Sequence, residues 1–558
     1  MTDFCQQLLL WSYILPAGLL ALFAINLYIL LFFFQRRHRV RSAEAAEIRA
    51  AGLPPAEALP LVVTQLPIYN EFNVIERCLR ATVAMRWGGE HLVQVLDDST
   101  DETSELVDRL AAELNTDDAI DCRVEVVRRS DRIGYKAGAL EHAMAEPGAA
   151  AAEYFCIFDA DFVPPADFLE RSMVVMLARP RVGIVQARWG HLNRNDSILT
   201  RAQALGIDGH FAIEQPARAW NGLFMNFNGT AGLWRRSAIA DAGGWEHDTL
   251  TEDMDLSYRA QLAGWEPFFL WDLEAPAELP ADINAFKSQQ FRWAKGSIET
   301  AIKLLGRVFR SPDFGLMAKM QAVFHMTHYL VHPIMLWMAL MFYPVVTWTG
   351  LHDHPLPFGL LVGLILVSTI APSALYTYAQ LRLNPGGGFK RLLSIPVLSL
   401  LGIGIAISNT RAVWQAVRGR QSAFVRTPKM GDSATAATAA TGATDASAAT
   451  AAAASSGTVV KRTKQYAIRL PGLAFAELAV GVYCWVCLVM FMREQHRFIL
   501  PFILLYACGF TFVGLLSLAV SFKHWNTHSN DRRNNQKDHD GRAARGWRSV
   551  LLAWTGRT

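Results

Sequence analysis

The stretch Tyr154-Phe155-Cys156-Ile157-Phe158, followed at once by Asp159-Ala160-Asp161, decides how the fold of this sequence is interpreted. A short apolar run that ends in carboxylates is typical of a buried strand with polar groups at its carboxyl end. The same pattern occurs at Leu92–Leu96, which ends in Asp97-Asp98-Ser99. Leu61–Leu66 is a further apolar run, which ends at Pro67 and has Tyr69-Asn70-Glu71 at its carboxyl end. Helical runs separate these strands. This alternation predicts an α/β domain with a mainly parallel sheet.

The polar clusters after these strands are expected to face one crevice, because ligands of open α/β sheets bind at the carboxyl ends of the strands. Asp159 and Asp161 are alternate residues of a segment that we expect to be extended, so both carboxylates can reach one oxygen-loving cation. Asp98 has a second interpretation, since an acidic residue after a strand can instead cap a helix. Lys136 lies in Gly134–Leu140 (GYKAGAL), where two glycines permit a close backbone approach to a diphosphate.

Two further motifs follow the acidic pairs in the chain, Thr251-Glu252-Asp253 and Gln289-Gln290-Phe291-Arg292-Trp293. Together with Val185–Trp189 (VQARW) and Phe227–Gly232 (FNGTAG), they resemble the motifs of family 2 glycosyltransferases. The similarity is to the membrane-embedded processive group, the cellulose synthase superfamily, and within it to the plant glucomannan and mannan synthase-like and xyloglucan-backbone synthase-like members. It covers residues 60–300. The resemblance implies a nucleotide-sugar-binding domain of the glycosyltransferase A type, inserted between transmembrane helices.

The resemblance also implies roles for individual residues. Asp98 would contact the nucleotide of the donor, while Asp159 and Asp161 would hold its diphosphate and a divalent metal, Mg²⁺ or Mn²⁺. Asp253, with Glu252 beside it, would be the general base of an inverting transfer. The remaining donor-binding residues would be Lys136, Gln289, Arg292, Thr427 and Lys429, and the acceptor-binding residues Trp293, Phe227, Asn228, Gly229 and Thr230. A diphosphate leaving group needs its charge neutralised, and Trp293 offers an apolar plate for a sugar ring or, alternatively, an interfacial anchor.

The composition predicts a membrane protein, because 52% of the 558 residues are hydrophobic and the mean hydropathy is +0.17. Five stretches are expected to cross the bilayer: Leu8–Phe34, Tyr329–Thr349, Phe358–Leu381, Leu470–Phe491 and Phe498–Phe522. Four arginines at positions 36, 37, 39 and 41 follow the first stretch, which predicts an outside N-terminus and a cytoplasmic domain at the inner (plasma) membrane.

The apolar segment Leu393–Ser408 is treated separately, because basic residues flank it on both sides. An interfacial or re-entrant helix would keep both flanks in the cytoplasm, so this segment is not expected to cross. Phe424–Lys429 (FVRTPK), which follows it, resembles the gating loop of cellulose synthases. Residues 431–458 are almost wholly Ala, Thr and Ser, which is typical of a disordered linker.

The expected domain organisation follows from these features. It comprises an N-terminal transmembrane anchor (1–41), a cytoplasmic glycosyltransferase domain (59–300), interfacial helices (301–328), a transmembrane hairpin (329–382), an interfacial helix with the gating-like loop (383–429), a disordered linker (430–466), a second transmembrane hairpin (467–522) and a cytoplasmic tail (523–558).

The sequence therefore predicts an inverting, processive β-glycosyltransferase that polymerises hexose from UDP-glucose or GDP-mannose into a β-glucan or (gluco)mannan and moves the product across the membrane. The expected partners are the nucleotide-sugar, the growing polysaccharide and the lipid bilayer, with an oligomer or accessory export proteins left open. The net charge of +3 is explained by juxtamembrane basic clusters, so nucleic acid is not an expected partner. Two alternatives remain, a non-processive membrane transferase that glycosylates a lipid and a non-enzymatic scaffold with a decayed transferase domain.

Overall fold

The computed structural model describes residues 3–349, 355–422, 429, 431, 471–493 and 500–522. A long helix, α1 (Asp3–Ala51), leads into an α/β domain. The strands of this domain are β1 (Val62–Ile68), β2 (His91–Asp97), β3 (Arg123–Val127), β4 (Tyr154–Ile157), β5 (Val182–His191), β6 (Gly232–Arg235) and β7 (Glu266–Ala277). Its helices are α2 (Ile75–Val83), α3 (Thr103–Asn115), α4 (Tyr135–Met144), α5 (Phe168–Ala178), α6 (Ile198–Gly209), α7 (Gln215–Trp220), α8 (Arg236–Asp241) and α9 (Glu252–Leu262).

The seven strands form one sheet in the order β3-β2-β1-β4-β6-β5-β7. All neighbours pair in parallel except β6, which is antiparallel to both β4 and β5. The predicted α/β fold with a mainly parallel sheet is confirmed. Ile68 pairs with Asp97, and β4 lies on the other side of β1. The polar residues that follow β1, β2 and β4 therefore emerge at one edge of the sheet.

Apolar side chains cover both faces of the sheet, which explains why its strands read as nearly continuous hydrophobic runs. Val62 and Leu66 of β1 point into one core layer, while Val63 points into the other. All seven residues of β2 are buried. The polar edge of the sheet is therefore supported by a hydrophobic core on each of its two faces.

The described residues after β7 are mostly helical. Its helices are α10 (Ile283–Arg310), α11 (Leu316–Thr327), α12 (Val331–Trp348), α13 (Pro355–Leu383), α14 (Gly388–Arg391), α15 (Ile395–Gly404), α16 (Ala406–Val417), α17 (Pro471–Arg493) and α18 (Leu500–Phe522). Asp282 caps the first of them by accepting hydrogen bonds from the backbone of Asn284 and Ala285 at 2.8 and 2.9 Å. The domain boundary that the sequence placed at residue 300 lies inside α10, because this helix continues without a break to Arg310.

Five helices among the described residues are long and apolar enough to cross a membrane: α1, the run Leu316–Trp348, α13, α17 and α18. The chain is therefore a membrane protein. Helices α14 and α15 lie in the segment Gly388–Gly404, and α16 is the segment Ala406–Val417. These two segments form a bent pair, with a 45° change of direction between them. Such a bend fits either a broken span or a re-entrant segment, so the expectation that this segment does not cross stays a prediction.

The membrane helices pack directly on the α/β domain. Leu30 and Phe34 of α1 lie in one buried cluster with Trp220 of α7 and Leu375 of α13. The Phe34 and Trp220 rings stack with their centroids 5.4 Å apart. The polar edge of the sheet is thus held at a fixed place beside the apolar helices.

Candidate active site

A pocket of about 190 Å³ lies at the carboxyl edge of the sheet. Most of the site residues predicted from the sequence line it: Asp98, Lys136, Asp159, Asp161, Asn228, Gly229, Glu252, Asp253, Gln289, Arg292, Trp293 and Lys429. They come from segments up to 331 residues apart in the sequence, and the fold brings them together. Of the other predictions, Thr427 lies outside the described residues.

Asp98 stands at one end of the pocket, directly after β2. Both of its carboxylate oxygens accept hydrogen bonds from Arg129, at 2.8 and 2.6 Å. Its neighbour Asp97 turns away, accepting from the backbone N–H of Ser99 at 3.0 Å and from Arg128 at 2.9 Å. The two acidic residues therefore divide the roles that the sequence left open: Asp97 stabilises the turn after the strand, and Asp98 faces the pocket.

Arg132 was missed by the sequence analysis, which expected Tyr69 at the crevice but gave it no role. The Arg132 guanidinium lies 3.3 Å from the centroid of the Tyr69 ring, next to Asp98. Together they form a flat, positively charged platform that suits a nucleobase and its ribose phosphate. Tyr69 follows β1 as Asp98 follows β2, so its position at a strand end was a usable signal; nothing in the sequence around Arg132 marks it.

Asp159 and Asp161 lie in a turn after β4, where the backbone N–H of Phe162 donates to the Asp159 carbonyl at 3.0 Å. The expected extended segment is therefore wrong, since the chain reverses as it leaves the sheet. Each carboxylate instead holds an ammonium group. Lys136 Nζ lies 2.5 Å from Asp159 Oδ1, and Lys429 Nζ lies 2.5 Å from Asp161 Oδ2.

These two lysines show that the carboxylate pair attracts cations. Carboxylate oxygens are the ligands that Mg²⁺ and Mn²⁺ prefer, so the donor set of Asp159 and Asp161 fits a divalent metal. The ammonium group of Lys429 pairs with the Asp161 carboxylate, and it also donates to the Glu278 carbonyl at 2.5 Å. A metal ion at Asp161 would compete with that ammonium.

Lys136 is placed by the glycine-rich turn before α4. Gly134 has φ +72°, which a residue with a side chain rarely adopts, and the helix begins at the next residue. Besides Asp159, the ammonium donates to the Gly229 carbonyl at 2.7 Å. Burial lowers the pKa of Lys136, but the charges of Asp159 and Glu252 outweigh this effect, and the pKa is raised overall. The side chain therefore remains a cation at the bottom of the pocket.

Asp253 is in the first turn of α9, with Glu252 before it. Burial raises the pKa of the Asp253 carboxyl to about 7, and the charge of Glu252 adds to this, although Lys136 opposes it. A carboxyl group with a pKa near neutrality can accept a proton at physiological pH and is suited to general base catalysis. The position of Asp253 in the pocket is thus consistent with the predicted role.

Gly229 lies directly opposite this carboxylate. Its φ is +78°, and a Cβ at this position would be 3.0 Å from Asp253 Oδ2 and 3.4 Å from Lys136 Nζ. A side chain would therefore enter the space beside the base. Asn228 also lines the pocket, and its backbone N–H donates to Gln186 Oε1 at 2.9 Å.

The structure corrects the acceptor-site prediction for two residues. Phe227 is fully buried and packs edge-on against Trp234 in the core. Thr230 is also fully buried, and its hydroxyl accepts a hydrogen bond from the Asp159 backbone at 2.9 Å. Neither side chain lines the pocket, because only the two residues between them, Asn228 and Gly229, face the cavity.

Gln289, Arg292 and Trp293 extend from α10 into the opposite side of the pocket. Burial lowers the pKa of Arg292, and the charge of Glu252 opposes the shift. An arginine stays protonated under such a shift, so Arg292 supplies a positive charge close to the acidic groups. Helix α10 reaches this position because it packs tightly on the Thr251 segment: a Cβ at Gly296 would be 2.7 Å from the Thr251 backbone nitrogen.

Two further pocket residues, Trp189 and His191, lie at the carboxyl end of β5 and were not predicted as site residues. The Trp189 ring stacks on Phe211 with centroids 4.7 Å apart. His191 pairs through Nε2 with the buried Asp208, at 3.0 Å. Trp189 belongs to the VQARW motif noted in the sequence, which was a signal for its position. The two side chains add an aromatic and a polar group to the lining of the pocket.

The fold and the pocket together define a class of protein. A mainly parallel sheet with acidic residues after β2 and β4, joined by a base on α9 and cations on α4 and α10, is the framework of a glycosyltransferase A-type domain. A comparison with protein families matches residues 60–296 to the description "Glycosyltransferase like family 2". The chain belongs to the family 2 glycosyltransferases, in their cellulose synthase-like group.

Three of its relatives are plant proteins. The chain is 38% identical over 289 residues to glucomannan 4-beta-mannosyltransferase 2 of Arabidopsis thaliana, which covers 51% of this chain and 53% of that protein. It is 34% identical over 381 residues to glucomannan 4-beta-mannosyltransferase 9 of the same plant, an alignment that covers 67% of this chain and 68% of that protein. A probable glucomannan 4-beta-mannosyltransferase 7 of Oryza sativa is 41% identical over 261 residues, and this alignment covers 47% of this chain and 44% of that protein. The alignment with most of these relatives spans about half of their length.

Among solved structures, a mannosyltransferase from Pyrobaculum calidifontis in complex with GDP-Man and Mn²⁺ aligns with a TM-score of 0.40 at 18% identity. The alignment covers 72% of this chain and 100% of that one.

Proposed function

We propose that this chain is an inverting β-hexosyltransferase that extends a polysaccharide from a nucleotide-sugar. The observation that carries the proposal is the convergence of a carboxyl group with a pKa of about 7, Asp253, with two partly buried cations, Lys136 and Arg292, in one pocket. A displacement at the anomeric carbon needs a base for the incoming hydroxyl and positive charge for the leaving diphosphate. The pocket offers both.

Asp253 accepts the proton of the acceptor hydroxyl as the new glycosidic bond forms. Its position opposite Gly229 leaves room for the sugar, because no side chain projects from Gly229 into the space beside the carboxylate. The acceptor hydroxyl attacks from the face opposite the leaving group, so the configuration at the anomeric carbon is inverted. Trp293 lies in the same pocket and supplies an apolar surface for the terminal sugar ring of the acceptor.

The donor lies along the carboxyl edge of the sheet. The nucleoside contacts Asp98 and the platform of Tyr69 and Arg132, and Lys136 and Arg292 face the diphosphate. Asp159 and Asp161 would hold a divalent metal, Mg²⁺ or Mn²⁺, which when bound neutralises charge on the diphosphate leaving group. The hydrogen bonds to Arg129 fix the orientation of Asp98 before the donor arrives.

The donor sugar is the first refinement of this proposal. The relatives reported above are glucomannan 4-beta-mannosyltransferases, which favours mannose as the hexose and GDP-mannose as the donor, with UDP-glucose as the alternative. The product is then a β-linked mannan or glucomannan.

We further place the reaction at the cytoplasmic face of the inner membrane, with the product passing outward between the apolar helices. One described feature supports processive synthesis over transfer of a single sugar to a lipid: the Gln289–Trp293 motif lines the pocket. A transferase for a lipid does not need this motif, whereas membrane helices beside the pocket suit either acceptor.

The test uses the full chain in inverted membrane vesicles, with radiolabelled GDP-mannose and UDP-glucose supplied separately. Polymer that is labelled by GDP-mannose and cut by a β-mannanase is the expected result. Label in a β-glucan from UDP-glucose would change the donor assignment, and label only in an extractable lipid would establish the non-processive alternative. Vesicles with an Asp253→Asn variant provide the background, and absence of transfer from both donors by folded wild type would overturn the proposal.

A further inference from the structure

A buried ion pair joins the substrate-facing helix α10 to the C-terminal membrane hairpin. Lys287 Nζ lies 2.6 Å from Glu477 Oε1 of α17, and both side chains are completely inaccessible to solvent. The ammonium also donates to the Ser517 hydroxyl of α18 at 3.2 Å. Its two members are 190 residues apart in the sequence: Lys287 is two positions before the Gln289–Trp293 motif, whereas Glu477 is in a membrane helix remote from every active-site motif.

Lys287 projects from the side of α10 opposite the active site. Successive residues of an α-helix are rotated by about 100°, so Lys287 points about 160° away from Gln289, two positions later. Gln289, Arg292 and Trp293 all line the pocket, whereas Lys287 faces the hairpin. One rigid helix therefore carries the pocket residues on one side and the buried ion pair on the other.

The ion pair is not needed merely to hold α10 against the hairpin. Ile283 and Phe286 of the same helix already pack against Val513 of α18 in an apolar cluster. Removing two charges from water is costly, and well-packed apolar residues are often as stabilising as a buried ion pair. The second carboxylate oxygen of Glu477 has no hydrogen-bond partner among the described residues, which adds to that cost. What a charged pair adds over apolar packing is one defined arrangement of the two helices.

We propose that Lys287 and Glu477 are positioning residues. They fix the rotation of α10 about its own axis and its position along that axis, and thereby the placement of Arg292 and Trp293 against the substrates. An apolar surface can rotate or slide with little penalty, whereas any shift of α10 would separate the two buried charges. The hairpin is thus part of the catalytic apparatus, acting through α10 rather than by touching the sugar. This inference rests on the proposed function, because its catalytic readout is transfer from the nucleotide-sugar.

The test compares four purified full-length proteins in lipid nanodiscs: wild type, the apolar pair Lys287→Met with Glu477→Leu, the reversed pair Lys287→Glu with Glu477→Lys, and the control Thr511→Val. Single substitutions are avoided because each leaves an unpaired buried charge that can unfold the protein. The control removes the acceptor of the Trp485 hydrogen bond, 3.1 Å long, which lies within the hairpin and does not involve α10.

The variant with the apolar pair is expected to unfold at a temperature close to that of wild type. Its kcat should nevertheless be lower by about tenfold or more, while its KM for the donor changes by less than about twofold. The reason is that a misplaced helix affects the transition state more than the ground state. The reversed pair should recover much of the lost kcat. Hydrogen–deuterium exchange over residues 283–296 should be faster in the apolar pair alone, because the helix is no longer held in one position.

Exchange provides a readout that does not depend on turnover. If wild type transferred no sugar but the apolar pair still exchanged faster, the proposed function would be at fault and the positioning role would stand. Wild-type kcat and wild-type exchange in the apolar pair would overturn the positioning role. The same conclusion would follow if activity and unfolding temperature fell in parallel in the apolar pair, because the pair would then only stabilise the fold.

Discussion

Replacing Asp253 with asparagine tests the base assignment, because it keeps the size of the side chain and removes its capacity to take up a proton. The carboxyl has a pKa of about 7, raised mainly by burial and secondly by Glu252. The deprotonated fraction of such a group is about one-eleventh at pH 6 and ten-elevenths at pH 8, a tenfold difference. Wild-type kcat/KM should therefore rise about tenfold between these pH values, whereas Asp253→Asn should lose at least about 100-fold at pH 8 and lack this rise.

The same pKa makes a prediction for stability. Since the folded-state value lies above the ordinary value of 3.8, the folded protein binds the proton more tightly than the unfolded chain. The resulting contribution to stability is complete below pH 4 and is lost as the pH rises through about 7. Each pKa unit corresponds to about 1.4 kcal/mol, so ionising this buried group costs on the order of 4 kcal/mol at pH 8. Asp253→Asn avoids the cost and should unfold at a higher temperature than wild type at pH 8, with a smaller difference at pH 5.

The assay is initial-rate transfer from radiolabelled donor in nanodiscs between pH 5.5 and 8.5, with thermal unfolding of the same samples. Asp241→Asn is the matched control, because this carboxylate is exposed and lies outside the pocket. Transfer by Asp253→Asn within about threefold of wild type, or an unchanged rise with pH in the variant, would refute the reasoning that Asp253 is the base.

Three other predictions concern the metal, the acceptor space and the topology. Excess EDTA should abolish transfer, and Mg²⁺ or Mn²⁺ should restore it; full activity in EDTA would remove a metal from the mechanism. Gly229→Ala should lower kcat by about 30-fold or more, because its Cβ would come 3.0 Å from the Asp253 carboxylate. The control Gly222→Ala has a similar φ but open space around it, so its kcat should be nearly unchanged. Equal losses of kcat in the two variants would show that only backbone strain matters. In a cysteine-free background, cysteines placed at Gly387 and Gln421 should both resist an impermeant thiol reagent applied outside intact cells. Labelling of just one would show that the intervening bent pair crosses the membrane.

The parts of this structure that the sequence predicted correctly are those with a local signal. The strand ends that carry Asp98 and Asp159 were visible because an apolar run stops at a carboxylate, and the sheet then fixes which edge these groups share. The motif that contains Arg292 was visible because its residue types match its chemistry. In each case the neighbouring sequence and the tertiary structure favour the same position.

The errors arose where distant contacts determine the local conformation. The segment after β4 was expected to be extended, but Phe162 bridges to Ala277 of β7, and this contact accompanies a turn at Asp159 and Asp161. Phe227 was expected in the acceptor site, but a large apolar side chain next to a pocket is more stable in the core when the fold offers a cavity for it. No feature of the sequence near these residues carries that information.

The arrangement of α10 explains how a membrane hairpin can influence chemistry at the edge of a sheet. Arg292 and Trp293 lie between two buried lysines on this helix, Lys287 and Lys295. The second donates to the Ser422 hydroxyl at 2.6 Å and also to the carbonyl of Arg420, both in the segment that follows α16. Eight residues separate the two lysines, which corresponds to about 12 Å along a helix. A helix of this length does not bend measurably between two fixed points, so the pocket side chains must follow wherever the hairpin and the segment after α16 hold the lysines. Any movement of either element during sugar transfer would reach Arg292 and Trp293 as a displacement of the whole helix.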